Sequence, residues 1–145
     1  MISEKWVIGI GNPLRGDDGA GWAVVEAFTA VATCPVQTLT THQLLPELVD
    51  TIHAAEQVVF VDASVAGTPG SLAMTAVQPA QTGPASSHQL SPAVLLALGV
   101  ELYGRMPAAS LITITGQNFG YQQQLSPPVA QAVTEVAGML KTIMY

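Results

Sequence analysis

Apolar residues in this chain alternate between short continuous runs and longer stretches that repeat with helical spacing. The runs predict strands at about 5–10, 36–40, 57–62, 70–77 and 109–115, and the stretches predict helices at about 18–31, 44–55, 91–102 and 127–143. This alternation indicates an α/β fold built as a doubly wound sheet. The length of 145 residues predicts one domain across residues 1–145.

The run from Gln57 to Asp62 is rich in β-branched and aromatic residues, which is typical of a central, buried strand. Residues 78–87 are rich in Pro, Gly, Ser and Thr and are predicted to form a loop. Ser91 and Pro92 are typical of a helix start. The direction of the fourth strand stays open between parallel and antiparallel.

A glycine-rich turn with two adjacent carboxylates is the strongest functional signal. It reads Gly-Ile-Gly-Asn-Pro-Leu-Arg-Gly-Asp-Asp-Gly-Ala-Gly from Gly9 to Gly21 and joins the first strand to the first helix. Open α/β sheets bind ligands at the carboxyl ends of their strands, where this turn is predicted to lie.

Three interpretations of the turn compete. A dinucleotide loop is disfavoured because Leu14 stands where the third glycine is required and because two carboxylates would repel phosphate. Helix capping explains one of Asp17 and Asp18, but not both. In the third interpretation one aspartate caps the helix, and the other points into the crevice as a metal ligand or general base.

Composition excludes several classes of protein. Hydrophobic residues make up 49% of the chain, but glycines and prolines interrupt them before any run reaches a membrane-spanning length. No secretory signal is recognisable, so a cytoplasmic location is expected. A net charge of −6 argues against a nucleic-acid partner. The single cysteine, Cys34, excludes an internal disulfide and a Cys-rich zinc site, and it is best interpreted as a small, partly buried hydrophobic residue.

Asp18, Asp62 and His88 are predicted to meet at one edge of the sheet. Asp18 follows the first strand, Asp62 ends the third, and His88 precedes the third helix. Placing His88 at the same edge requires the fourth strand to be parallel to the others. A right-handed crossover connection would then bring the loop before the third helix to that edge. Two carboxylates and an imidazole suit zinc, nickel or iron.

Each member also has a simpler interpretation. Asp62 is explained equally well as an acceptor for loop amides, and His88 taken alone as an exposed or capping residue. His53 is predicted to lie near solvent, and His42 to follow the second strand as a supporting or substrate-contacting group. The joint placement of three ligand types favours a site.

The chain resembles the hydrogenase maturation endopeptidases, which process the large subunit of nickel-iron hydrogenases. Three ordered motifs carry this resemblance over essentially the whole chain: the Gly9–Gly21 turn, Val-Phe-Val-Asp62-Ala, and Ser-His88-Gln-Leu. The resemblance implies a three-layer αβα sandwich with a twisted, mostly parallel five-stranded sheet. It also implies that Asp18, Asp62 and His88 form the metal and catalytic site.

The activity that the resemblance implies is removal of a C-terminal extension from a hydrogenase large-subunit precursor after nickel insertion. The metal is expected to be the nickel of that precursor, with another divalent ion such as zinc as an alternative. The chain carries none of the usual serine, cysteine or His-Glu-x-x-His protease signatures, which is consistent with a metal-dependent or aspartic-type enzyme. A different class of function stays open: a non-enzymatic nickel-binding or chaperone module that recognises the same precursor.

One departure from the family pattern concerns substrate recognition. Many relatives carry a glycine-rich segment after the second strand, whereas this chain has Thr-Thr-His-Gln-Leu-Leu-Pro-Glu at 40–47. The side chains expected as candidates for substrate contact are Asn12, Asp17, His42 and Gln43. The low charge of the chain further predicts an apolar surface for docking a protein partner.

Overall fold

The structure is a computed structural model, and it describes residues 4–81 and 90–145. The strands are β1 (Lys5–Ile10), β2 (Gln37–Thr41), β3 (Gln57–Ser64), β4 (Leu72–Val77) and β5 (Ala108–Thr115). The helices are α1 (Ala20–Val31), α2 (Leu48–Ile52), α3 (Pro92–Tyr103) and α4 (Pro127–Ile143), and a 3-10 turn (Gly16–Gly19) precedes α1.

The strands form one sheet in the order β2-β1-β3-β5-β4. The pairings of β1 with β2, β1 with β3, and β3 with β5 are parallel, and β4 runs antiparallel to β5 at the edge. The predicted fold class, a three-layer α/β sandwich with a mostly parallel five-stranded sheet, is therefore confirmed. Parallel strands require crossover connections, and here α1, α2 and α3 lie within those connections.

Each face of the sheet is covered by two helices. On one face α1 and α4 pack over Val7, Val59, Val61, Ile112 and Ile114. On the other face α2 and α3 pack over Ile8, Ile10, Val58 and Phe60. Successive residues of β1 and β3 thus enter opposite cores, as the two-residue period of a strand requires, so these strands are apolar throughout.

Several predicted elements differ in their bounds from those observed. Helix α1 begins at Ala20 rather than at 18, and β4 begins at Leu72 rather than at 70. The second helix was expected over 44–55, but α2 covers only Leu48–Ile52. Leu48 N–H donates to the Leu45 carbonyl three residues back, as in a turn, and Pro46 disfavours helical backbone at the preceding residue. β3 extends two residues beyond its predicted end at Asp62, because Asp62, Ala63 and Ser64 continue to pair with β5.

None of the helices in residues 4–81 and 90–145 is both long enough and apolar enough to cross a membrane.

Candidate functional site

The glycines of the Gly9–Gly21 turn let α1 approach the sheet closely. A Cβ at Gly21 would lie 2.4 Å from the Val61 carbonyl oxygen, and a Cβ at Gly11 would lie 1.9 Å from that of Asp18. Gly11 also has φ of +142°, which residues with a side chain rarely adopt. Backbone packing therefore accounts for these glycines, and it brings the 3-10 turn against the end of β1.

Asp17 points into the protein and has no exposed surface. Its carboxylate accepts hydrogen bonds from the backbone N–H groups of Gln117 (2.7 Å), Asn118 (2.9 Å) and Ser126 (2.7 Å), and from the Ser126 hydroxyl (2.7 Å). Burial raises the pKa of Asp17, but these hydrogen bonds outweigh it and hold the pKa below its ordinary value. All observed contacts are internal, so Asp17 is not placed to contact a substrate as predicted.

The backbone around Asp17 is bound to the same distant segment. Gly16 N–H donates to the Gln122 carbonyl at 2.7 Å, and Asp17 N–H donates to the Asn118 carbonyl at 2.8 Å. Arg15 stacks over the Tyr121 ring at 4.7 Å. We call residues 15–17 and 117–126 together the Asp17 anchor. It fixes the turn that presents the neighbouring Asp18.

Asp18 faces the opposite way, into an open cavity of about 500 Å³ that Asp62 also lines. Its carboxylate accepts a hydrogen bond from Asn12 N–H at 2.8 Å. Neither aspartate caps α1, because the residue at that position is Gly19 and no side chain bonds there. The expectation that one caps the helix is therefore wrong, whereas the expectation that one faces a crevice is confirmed for Asp18. We call this space the carboxylate cavity.

Asp62 reaches the cavity from the central strand β3, beside the end of β1. Burial raises its pKa to about 6; one hydrogen bond, from Ala63 N–H at 2.8 Å, opposes the rise, and the nearby Asp18 carboxylate adds to it. A carboxyl group with this pKa exchanges its proton near neutral pH. Strongly shifted carboxyl groups in clefts are typical of functional sites, although structural clusters also produce them.

The lining of the carboxylate cavity comes from four regions of the chain. Its residues are Ile10, Gly11, Asp18, His42, Gln43, Leu44, Asp62, Leu90, Ser91 and Pro92. His42 and Gln43 thus lie at the same cavity as the two carboxylates. The predicted contact residue Asn12 does not line it, but its side chain accepts a hydrogen bond from Leu14 N–H at 2.9 Å and so shapes the turn.

Trp22 supports the segment that carries His42, and the sequence analysis did not identify it. Its indole N–H donates to the Thr41 carbonyl at 3.0 Å, and its ring centroid lies 5.3 Å from that of His42. The sequence signal available for this role was the position of Trp22 directly after the glycine turn. Sequence spacing could not identify the partner, Thr41, because it lies on a different element, β2.

His88 lies outside the described residues, so its predicted role stays a prediction. The premise used to place it was that β4 runs parallel, and the observed antiparallel direction makes that premise wrong. The start of α3 nevertheless lines the carboxylate cavity through Leu90, Ser91 and Pro92. Within residues 4–81 and 90–145, no three His, Cys, Asp or Glu side chains form a metal-binding group. Asp18 and Asp62 alone do not complete a metal site.

Several solved structures similar to this chain are described as hydrogenase maturation proteases or endopeptidases. The [NiFe] hydrogenase maturation protease HycI from Thermococcus kodakarensis KOD1 is 25% identical with a TM-score of 0.79, and the match covers 98% of this chain and 92% of that one. The hydrogenase maturating endopeptidase HybD from E. coli is 23% identical with a TM-score of 0.73, covering 97% and 93%. A hydrogenase 2 maturation peptidase from Thaumarchaeota archaeon SCGC_AB-539-E09 is 22% identical with a TM-score of 0.72, covering 98% of both chains.

No protein-family model and no curated protein sequence matches the chain. The similarity is thus carried by the fold, which extends over nearly the whole length of each of these structures. These comparisons confirm the predicted resemblance of the chain to the hydrogenase maturation endopeptidases.

Proposed function

We propose that this protein is an endopeptidase that removes the C-terminal extension of a nickel-iron hydrogenase large-subunit precursor after nickel insertion. The observation that carries the proposal is the pair of carboxylates, Asp18 and Asp62, in one open cavity at the carboxyl ends of parallel strands. The similar structures described as maturation proteases support the same activity. A cytoplasmic location is part of the proposal.

In this proposal Asp18, Asp62 and His88 engage the nickel ion that the precursor brings. The two carboxylates supply oxygen ligands and the histidine a nitrogen ligand, a mixed set that suits nickel or zinc. The described carboxylates need at least one further ligand, from His88 or from the precursor. If the site acts only with the nickel ion that the precursor brings, nickel loading is a condition for cleavage.

The reaction is hydrolysis of one peptide bond. A water oxygen bonds to the scissile carbonyl carbon, the C–N bond breaks, and the released amine takes a proton. A metal ion at the site would polarise the carbonyl or lower the pKa of bound water. Asp62, with its pKa of about 6, is suited to bind metal when ionised and to carry a proton when neutral.

The experiment is cleavage of purified precursor, nickel-loaded and nickel-free in parallel, followed by intact-mass measurement. We expect the nickel-loaded precursor to lose a C-terminal peptide and the nickel-free precursor to stay intact. Asp62→Ala and His88→Ala should slow the loss about 100-fold or more, the usual scale for an electrostatic group in a site. Glu135→Ala on α4 and His53→Ala beside α2 are matched controls outside the cavity lining and should cleave normally.

Each alternative result has a distinct meaning. Cleavage at the normal rate by Asp62→Ala and His88→Ala would show that the site assignment is wrong. Stable binding of the precursor without any change in its mass would favour the non-enzymatic nickel-binding or chaperone module instead.

A further inference from the structure

β2 is an edge strand that ends beside the carboxylate cavity. Among the described residues it pairs only with β1, and it lies first in the order of the sheet. Its sequence, Gln-Thr-Leu-Thr-Thr, contains neither a charged residue nor a proline. Edge strands are usually protected from pairing by such residues or by a covering element. The outer edge of β2 is therefore suited to pair with another strand.

The direction of the backbone groups on β2 follows from one hydrogen bond. The Thr41 carbonyl accepts from Gly11 N–H at 3.0 Å, so the polar backbone groups of Thr41 face β1. These groups alternate in direction from residue to residue along a strand. The N–H and C=O groups of Thr38 and Thr40 consequently point away from the sheet, toward an incoming chain.

Grooves lie on both faces of the sheet beside this edge. On the α1 face, Thr40, Trp22 and Glu26 line a groove of about 440 Å³. On the α2 face, Leu39 and Glu47 line a groove of about 210 Å³. A strand added to β2 would direct alternate side chains toward these two grooves. Each groove contains one exposed glutamate, which favours a basic side chain on the added segment.

The smaller groove adjoins the carboxylate cavity, because Gln43 lines both. By contrast, no residue of the other edge strand, β4, lines that cavity. We propose that an extended segment of the substrate polypeptide, carrying a basic side chain, pairs with Thr38 and Thr40 of β2 and so delivers its scissile bond to the cavity. Main-chain pairing with an open sheet edge is a common mode of peptide recognition.

This inference rests on the proposed function, and hydrogen exchange on the isotope-labelled Asp62→Asn variant tests it directly. The probe is excess nickel-loaded precursor. We expect the Thr38 and Thr40 amides to exchange about tenfold more slowly in the complex, while the Leu39 and Thr41 amides, which face β1, change little. Binding without this alternating protection would overturn the inference. Protection that rises with protein concentration without precursor would assign the edge to a second copy and also overturn it.

Proline substitution tests the same bonds by activity. Thr38→Pro and Thr40→Pro each remove one outward N–H, at positions where edge strands tolerate proline. We expect each to lower kcat/KM about tenfold, mainly through KM, the scale of one backbone hydrogen bond. Ala76→Pro on β4 is the matched control. Ser71, five residues before Ala76, accepts from Thr115 N–H, so alternation directs the Ala76 backbone away from β5.

The outcomes separate this inference from the proposed function. Normal cleavage by folded Thr38→Pro and Thr40→Pro, with Asp62→Ala inactive, would overturn the pairing and leave the proposed function standing. Failure of the unaltered protein to cleave would contradict the proposed function, while amide protection would still decide the pairing. Glu26→Gln and Glu47→Gln should each raise KM about threefold at low salt and less at high salt, as exposed charges do.

Discussion

The two aspartates at positions 17 and 18 are adjacent in sequence but belong to regions with opposite properties. The Asp17 anchor surrounds a carboxylate with four hydrogen-bond donors, and the pKa of that carboxylate is lowered. The carboxylate cavity gives Asp62 one backbone donor and a neighbouring negative charge, and its pKa rises to about 6. The carboxyl groups of Asp17 and Asp62 are both removed from water. The number of hydrogen-bond donors around each therefore determines whether its charged or its neutral form is favoured. One region uses its carboxylate to hold the turn in place, and the other leaves its carboxylates at an open cavity.

The largest expected effect separates these roles through activity. Asp62→Ala should reduce cleavage of nickel-loaded precursor about 100-fold or more while the thermal unfolding temperature stays unchanged or rises. Asp17→Ala, assayed under conditions where it is folded, should retain more activity than Asp62→Ala. Equal loss of activity in two folded variants would mean that the division between the regions is wrong.

The second effect separates the same roles through stability. Asp17→Ala removes a buried carboxylate that accepts from three partly buried backbone N–H groups, and it should lower the free energy of unfolding by about 3 kcal/mol. For a chain of this size that corresponds to roughly 10 °C in melting temperature, measured by calorimetry. A melting temperature within a degree or two of the unaltered protein would contradict the anchoring role.

A graded version of that test removes one donor only. Ser126→Ala deletes the hydroxyl that donates to Asp17 but keeps the backbone N–H bond, so it should cost about 1 kcal/mol in urea unfolding. Ser110→Ala, on β5 away from the anchor, is a matched control. If both variants lose the same stability, the hydroxyl contributes nothing specific.

The pKa shifts predict opposite pH dependences for the two regions. Because the folded-state pKa of Asp17 is lowered, its contribution to stability is present above its ordinary pKa of 3.8 and is lost as the pH falls through the folded-state value. Because the folded-state pKa of Asp62 is raised, its ionisation lowers stability progressively as the pH rises from 3.8 to about 6.

Urea unfolding across this pH range measures both effects. The stability difference between the unaltered protein and Asp17→Asn should shrink in acid. Relative to Asp62→Asn, the unaltered protein should become less stable between pH 3.8 and about 6 and then level off. If the stability difference between the unaltered protein and one of these variants did not vary with pH, the pKa shift of that aspartate would be contradicted.

The smallest effect concerns the coupling between the cavity carboxylates. The Asp18 charge is the last of the three causes that act on Asp62, after burial and the Ala63 hydrogen bond. Asp18→Asn should therefore lower the Asp62 pKa only slightly, as followed by carboxyl NMR titration. A return of Asp62 to its ordinary pKa would show that charge repulsion, rather than burial, dominates.

The sequence predicted the elements well wherever local pattern determines them. β1 and α4 have the expected bounds, since an apolar run and a Ser-Pro-Pro start followed by an apolar stripe are local signals. Helix α2 was overestimated because Leu44 and Leu45 have helical spacing but lie in a turn next to Pro46. The direction of β4 could not be read from its residues because either direction gives similar local patterns.

The candidate site was predictable only where local sequence pattern determines it. Strand ends place Asp18 and Asp62 at one edge, but the choice between Asp17 and Asp18 depends on donors about 100 residues away. No local pattern contains that information, and capping rules suggested a role that neither residue has. Similarly, the Trp22 contact with Thr41 links α1 to β2, so only the folded chain reveals it.

The Asp17 anchor also imposes an order on biosynthesis. The turn that presents Asp18 receives its backbone partners from residues 117–126, which are translated long after the turn itself. A nascent chain still lacking them has no acceptor for the Gly16 and Asp17 N–H groups and no donor for the Asp17 carboxylate. Residues 117–126 must therefore leave the ribosome before this turn acquires its final geometry, and a shorter nascent chain does not yet hold Asp18 in its final position.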